Sequence, residues 1–276
     1  MRKPSVILLG SKPGAVVALS QMLKRKWDVR FVVTSPEFNY EWIPGPLLEE
    51  YAMDKGIKVL SDQSDIPEGT HVDFVISYMF RYLVKENVIN MASRAAINFH
   101  AGPLPEFGGW AFYNIAILED SPEYGCSCHY MDNNFDTGPL LKVHRFPIDA
   151  RAETAFSLER KAQEQMIVLF DEFCDIAERD EKLPQQKQDP EKMRYMKKIE
   201  FEALKEIPTD ADAETIDRRA RAFWYPPYEC AYFVLNGVKV EVIPIMVKAQ
   251  LAALLHADDL TRLYKAVERV DKSVNE

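Results

Sequence analysis

Asn98 and His100 stand two residues apart at the end of Ala95-Ala96-Ile97-Asn98-Phe99-His100. Along an extended strand successive side chains point to opposite faces, so an amide and an imidazole share one face while Phe99 packs on the other. Such a pair suits acyl transfer to an amine. That reaction needs hydrogen-bond donors where the carbonyl oxygen becomes negative, and an acceptor for the proton of the attacking nitrogen. Asp136 lies in the polar stretch Asp132-Asn133-Asn134-Phe135-Asp136-Thr137-Gly138; a carboxylate brought beside the imidazole would orient the ring and relay a proton. Each residue also has a plainer reading, Asn-x-His as a hydrogen-bonding strand end and Asp as a turn residue bonding its own backbone.

The elements that must position these groups follow from the apolar patterning. Val6–Gly10, Val29–Thr34, Asp73–Ser77 and Ala95–His100 read as β-branched strands, with helical spacing over Ala15–Lys26 (Leu19, Met22 and Leu23 on one side) and Leu47–Lys55, and a minor strand at Ile57–Leu60. Alternating strands and helices predict an α/β fold, a doubly wound Rossmann-like sheet in which ligands gather outside the carboxyl ends of the strands. Pro103, Pro105, Gly108 and Gly109 mark a loop after His100. Tyr124–Met131 and Leu140–Ile148 read as two more strands joined by the Asp136 turn, and Glu153–Glu181 as a long helix with Phe156, Ala162, Met166, Leu169, Phe170 and Phe173 toward the sheet.

Leu183–Pro190, rich in Gln and Pro, is the expected linker, which divides the chain into a catalytic domain over 1–182 and a small α+β domain over 191–276. In the second, Ala213–Phe223 reads as a helix, and Ala231–Leu235 and Val238–Ile245 as a hairpin around Asn236-Gly237. The tail from Lys248 to Glu276 reads as helical. Its Leu251, Leu254, Leu255 and Leu260 form an apolar stripe, open to packing on its own domain or to a homodimer contact.

The whole-chain composition sets further expectations. A formal charge of −9, from 34 Lys and Arg against 43 Asp and Glu, argues against broad binding to nucleic acid, which is gripped by clustered cations. Lys12 interrupts the first apolar run well short of a secretion signal, no segment reaches membrane-spanning length, and a cytoplasmic protein is expected. Cys126 and Cys128 share a strand face; with Cys174 and Cys230 isolated they lack metal spacing, so buried reduced thiols and no metal are expected.

Ile97-Asn98-Phe99-His100-Ala101-Gly102-Pro103-Leu104-Pro105, Gly108-Gly109, Tyr124-Gly125-Cys126-Ser127-Cys128-His129-Tyr130-Met131 and Asp136-Thr137-Gly138 together resemble the folate-dependent formyltransferase family. That family includes methionyl-tRNA, glycinamide-ribonucleotide and sugar-nucleotide enzymes. The likeness is strong over residues 70–150 and weak over most of the rest. It implies a sheet of formyltransferase type, 10-formyltetrahydrofolate as co-substrate, and Asn98, His100 and Asp136 as the catalytic set. It also implies that the pterin lies between the loop after Ser77, through Met79, Phe80, Arg81, Tyr82 and Leu83, and the turn that carries Asp132, Asp136 and Gly138.

The acceptor is read from the rest of the chain. A short second domain and an acidic charge weigh against transfer to initiator tRNA, and the presence of that domain weighs against glycinamide ribonucleotide. Trp110 to Ile117 and Asp217 to Tyr228 are similar to segments of sugar-nucleotide N-formyltransferases, which implies a nucleotide-linked amino sugar destined for a surface polysaccharide or glycan. Its contacts would be Lys12, Gly108, Gly109, Trp110, Tyr113, Trp224 and Tyr225, with rings stacking on base or sugar and cations meeting the diphosphate. Phe223 and Trp224, at helical spacing, could equally be core. Ala101-Gly102 departs from the family pattern, and Glu37–Gly45 lacks the basic loop of tRNA enzymes. Two rivals remain: a formyltetrahydrofolate hydrolase using the same three residues, and a non-catalytic nucleotide-binding module built on Gly10-Ser11-Lys12-Pro13-Gly14.

Overall fold

The computed structural model describes residues 3–34, 47–179, 182–194, 196–249, 251–253 and 256. The segment Glu37–Gly45 and nearly all of the tail from Lys248, with Leu254, Leu255 and Leu260, therefore lie outside the described residues.

By contacts the chain divides into Met1–Phe201 and Glu202–Glu276. The first unit is built on a seven-stranded sheet of order β3-β2-β1-β4-β5-β6-β7. Its strands are β1 (Ser5–Gly10), β2 (Asp28–Val33), β3 (Lys58–Leu60), β4 (Val72–Tyr78), β5 (Ala92–His100), β6 (Glu123–Tyr130) and β7 (Leu140–Pro147). β1 to β5 pair in parallel, whereas β6 runs antiparallel to both β5 and β7. The expected strands are thus present, and the short connection between β6 and β7 makes that pair antiparallel.

Helices α1 (Pro13–Lys24) and α5 (Ala155–Ala177) cover one face. α1 begins two residues before the sequence reading because Pro13 sits in its first turn, where its fixed φ and missing N–H cost nothing. Thr154 caps α5 by accepting from the Ser157 N–H, and the helix ends at Ala177, short of the expected Glu181. Every residue of β4 is buried, as a central strand covered on both sides should be. On the α5 side Phe74, Tyr78, Phe99, Phe170 and Phe173 form a continuous aromatic core, with Phe99 and Phe170 centroids 5.0 Å apart. Cys126, Cys128 and Cys174 are buried and unpaired as thiols, and burial pushes the Cys126 thiol up to about 12.

The opposite face carries a second apolar cluster of Ile7, Leu9, Val75, Val84, Val88 and Ala96. The short α3 (Glu86–Ile89) contributes Val88 to it. α2 (Leu48–Asp54) and α4 (Phe112–Leu118) complete the unit before α6 (Lys198–Ala203), which crosses its end.

The segment 183–190, expected as a linker, lies on the sheet unit instead. Leu183 is buried and Gln186 exchanges two backbone hydrogen bonds with Leu140, of 2.7 and 2.8 Å. An unpaired edge strand offers free N–H and C=O groups, and this segment takes some of them.

In the second unit α7 (Ala213–Ala222) is capped by Asp212, and β8 (Tyr232–Leu235) pairs antiparallel with β9 (Val238–Glu241) across Asn236-Gly237. Both turn residues have positive φ, 51° and 78°, as the tight hairpin requires. β9 is shorter than expected: its partner β8 supplies four paired positions, and Pro244 cannot donate to a longer ladder. Among the described residues no helix is long and apolar enough to cross a membrane.

Candidate active site

β4 and β5 end side by side, Ser77 opposite Asn98, at the carboxyl edge of the parallel strands. Strand alternation sends Phe99 into the α5 core and leaves Asn98 and His100 on the other face. β6 returns antiparallel with His129 directly opposite Asn98 and Ser127 opposite His100. The connection from β6 to β7 then folds back over this face and delivers Asp136.

Asp136 is 7% exposed and has φ 57°, a left-handed conformation that Asp tolerates better than most residues. The next residue but one must be glycine here. A Cβ at Gly138 would lie 1.9 Å from the Tyr130 carbonyl oxygen.

The carboxylate is held on several sides. Its Oδ2 accepts from the Gly109 N–H at 2.9 Å and lies 3.5 Å from His100 Nδ1. Its Oδ1 lies 3.3 Å from both His129 Nε2 and Asn98 Nδ2. Burial opposes the charge, but His100, His129 and the Gly109 N–H prevail and hold the carboxyl well below the usual carboxylate range. It is therefore an anion at neutral pH.

The hydrogen bonds fix which atoms carry protons. His100 Nε2 is 2.7 Å from the Phe107 carbonyl oxygen, which can only accept, so Nε2 bears a hydrogen and Nδ1 faces Asp136. His129 Nδ1 likewise donates to the Tyr130 carbonyl at 2.8 Å. Asn98 accepts from Ser77 Oγ at 2.6 Å, which turns its NH2 toward His129 and Asp136. His100 also meets the edge of Phe112, with centroids 4.6 Å apart.

The loop after His100 is pinned by β6. Ser127 Oγ accepts from the Leu104 N–H and donates to the Gly102 carbonyl, both at 2.8 Å, and Tyr124 donates to the Ala101 carbonyl at 3.0 Å. Gly102 has a clear reason to lack a side chain, since a Cβ there would stand 2.8 Å from His100 Nε2 and 2.6 Å from the Phe107 carbonyl oxygen.

The structure therefore brings Asn98, His100 and Asp136 together with Gly108 and Gly109. It also adds His129, which sequence reasoning left out. The signal was present: His129 is two residues from Ser127 on the face opposite Cys126 and Cys128, but only the antiparallel register shows it facing Asn98.

The remaining expected contacts are placed as follows. Met79 has φ 53°, Phe80 and Tyr82 meet edge to face at 5.7 Å, and Tyr82 and Leu83 are exposed at the carboxyl end of β4, with Arg81 beside them. Phe80 and Met131 pack on the same apolar cluster, so this loop and the start of the Asp136 turn share one side of the sheet. Asp132 accepts from Thr137 Oγ1 and the Asn134 N–H and so closes that turn. Lys12 pairs with the buried Glu159 at 2.9 Å, which matches its charge inside the fold. Trp110 donates to the Met196 carbonyl at 3.1 Å, and Tyr113 packs in the core between Phe112 and Tyr124. In the second unit Trp224 is 9% exposed and Tyr225 lies against Tyr228, centroids 5.7 Å apart. Among the described residues no three His, Cys, Asp or Glu side chains are placed to share a metal ion.

Residues 6–171, more than half of the chain, match the Formyl transferase family. The chain belongs to the formyl transferase family. The match spans Ser77, Asn98, His100, His129 and Asp136, so the residues gathered at the end of β5 belong to a formyl-group transfer enzyme. Among curated relatives, the methionyl-tRNA formyltransferase of Pediococcus pentosaceus is 25% identical over 250 residues, 86% of this chain and 76% of the relative. The GDP-perosamine N-formyltransferase of Brucella melitensis is 30% identical over 172 residues, 62% of this chain and 64% of the relative. Among solved structures, the N-formyltransferase of Helicobacter canadensis, in complex with folinic acid and dTDP-3-aminofucose, superposes with a TM-score of 0.70 at 22% identity over 85% of each chain. A 4-N formyltransferase from Francisella tularensis gives 0.72 at 20% identity, over 87% of this formyl transferase and 96% of that chain. These two likenesses establish the shared fold.

Proposed function

We propose that the enzyme moves the formyl group of 10-formyltetrahydrofolate to the amine of an amino sugar carried on a nucleoside diphosphate. The observation that carries the reading is the cluster of half-buried Asn98 with buried His100 and Asp136 at the carboxyl end of β5, beside half-exposed aromatic and apolar side chains after β4. Support for the acceptor comes from the GDP-perosamine enzyme among the relatives and from a structural neighbour crystallised with dTDP-3-aminofucose. Support for the formyl carrier comes from the folinic acid in that same neighbour. Phe80, Tyr82 and Leu83 offer the flat apolar contacts a pterin ring needs.

In this reading the neutral amine attacks the formyl carbon, and the developing oxyanion takes hydrogen bonds from His100 Nε2–H and the Asn98 amide. The Phe107 carbonyl holds the His100 hydrogen, and His129 and Asp136 take the Asn98 amide hydrogens, so the oxyanion competes with these partners. Asp136 keeps the ring oriented and balances positive charge on it. A carboxyl held so far below the usual range keeps a proton poorly, so the proton leaving the amine passes through Asp136 or an adjoining water to solvent. Collapse of the intermediate breaks the bond to the folate nitrogen and releases tetrahydrofolate.

A second reading, transfer to methionyl-tRNA, is favoured by one observation: that relative matches over 86% of the chain. The net charge of −9 weighs against it. The deciding experiment follows tetrahydrofolate release from 10-formyltetrahydrofolate with GDP- and dTDP-linked 3-amino and 4-amino dideoxy sugars, with methionyl-tRNA, and with no amine. Release that depends on one of the sugar nucleotides is expected. Release with methionyl-tRNA alone, or equally without any amine, would overturn the reading in favour of the tRNA enzyme or a hydrolase.

A further inference from the structure

The segment after α5 does more than connect the two units. Gln186 pairs with Leu140 through two backbone hydrogen bonds, which fixes the register of the segment against the start of β7. Two residues on, the Gln188 side chain reaches the turn that carries Asp136. Its Nε2 donates to the Asp136 carbonyl and to the Gly138 carbonyl, each at 2.7 Å. The amide can sit only one way round, since the reverse orientation would set its oxygen against two carbonyl oxygens. The oxygen Oε1 is buried without a hydrogen-bond partner. Burying an acceptor unpaired is unfavourable, so the side chain holds this position through its two donated bonds and against the cost at its oxygen.

Those two bonds bear on a residue with few alternatives. Asp136 is in the left-handed region at φ 57°, and Gly138 is pressed against the Tyr130 carbonyl. Clamping the carbonyls on either side of Thr137 fixes the peptide planes that aim the Asp136 carboxylate. Around that carboxylate the titratable neighbours are His100 from β5 and His129 from β6, while Asp132 of the same turn is engaged by Thr137.

We propose that Gln188 is a positioning residue for Asp136: by clamping the Asp136 and Gly138 carbonyls it holds the carboxylate on His100, His129 and the Gly109 N–H. The inference rests on the reading of Asp136 as part of the catalytic set. It assigns a positioning duty to a stretch that looks, in sequence, like a spacer.

The test uses the full chain with Gln188→Ala and Gln188→Met, the second keeping length while removing the donor. The amide proton of Gly109, hydrogen-bonded to Asp136 Oδ2, reports by NMR whether the carboxylate stays in place, and does so without substrate. With the amino sugar that the wild type turns over fastest, kcat is expected to fall at least about tenfold while KM for both substrates stays within about twofold, the cost of misaiming a group by a fraction of an ångström. The Gly109 amide is expected to move upfield in both variants. An unmoved Gly109 amide, or an unchanged kcat, would overturn the clamp. Asp136→Asn separates the two ideas: if it loses turnover while both Gln188 variants behave as wild type, only the clamp fails, and if it keeps normal turnover, the role of Asp136 fails and the clamp with it. Should the wild type turn over no acceptor, the Gly109 shift still decides whether Gln188 aims the carboxylate.

Discussion

The two faces of β5 differ in nearly every physical respect although they alternate residue by residue. On one side Phe99 sits fully buried among Tyr78, Phe170 and Phe173, held by dispersion and the exclusion of water. On the other, half-buried Asn98 and buried His100 join Ser77, His129 and Asp136 in a network of hydrogen bonds and close charge contacts. The aromatic face is what keeps β5 in place, and it tolerates any volume that fills it. The polar face requires particular atoms at particular distances, because in a low-dielectric site an unmatched donor or charge is expensive. A single strand thus couples stability to chemistry through a peptide backbone that both faces share.

The largest expected effect falls on the polar face. His100→Asn and Asp136→Asn should each lower kcat by about 10³-fold or more with the affinity for 10-formyltetrahydrofolate little changed, and the Tm should fall in Asp136→Asn, which loses a stabilising charge. Stopped-flow release of tetrahydrofolate and a thermal melt measure both. The mirror-image substitution is Phe99→Ala, expected to cost about 3–5 kcal/mol of stability, as for large buried rings, while the molecules that remain folded keep kcat within a few-fold. A stable Phe99→Ala protein with lost turnover would break the division between the faces.

A smaller effect sharpens the same contrast through pH. The Asp136 carboxyl titrates below its unfolded value, ~3.9 for Asp, so its ionised form stabilises the fold. That contribution is present above the unfolded value and is lost as pH falls toward the folded one. The stability of the wild type relative to Asp136→Asn should therefore shrink as pH drops below about 4, measured by urea unfolding at each pH. No such pH-dependent difference is expected for Phe99→Ala.

Much of this was legible in the sequence because the patterns are local. Strand alternation alone put Asn98 and His100 on one face and Phe99 on the other, and Asn236-Gly237 marked its hairpin. Asn98, His100 and Asp136 came into view as candidates through their spacing and the family resemblance. What stayed hidden depends on contacts between distant segments. His129 gains its meaning only from the antiparallel register with Asn98. Gly109, expected to meet a substrate, spends its N–H on Asp136, and Lys12, expected at a phosphate, is matched by Glu159, 147 positions later in the chain. The stretch 183–190 has the composition of a spacer, and nothing in that composition shows that Gln186 pairs with Leu140 and Gln188 clamps the Asp136 turn.

The central claim is that the polar face of β5 acts as one catalytic unit, and the double variant His100→Asn with Asp136→Asn tests it most directly. Groups that work together lose their shared contribution once, so the double variant should have a kcat within a few-fold of the slower single variant. If the two losses instead multiply, His100 and Asp136 act independently and the account of a single unit is contradicted.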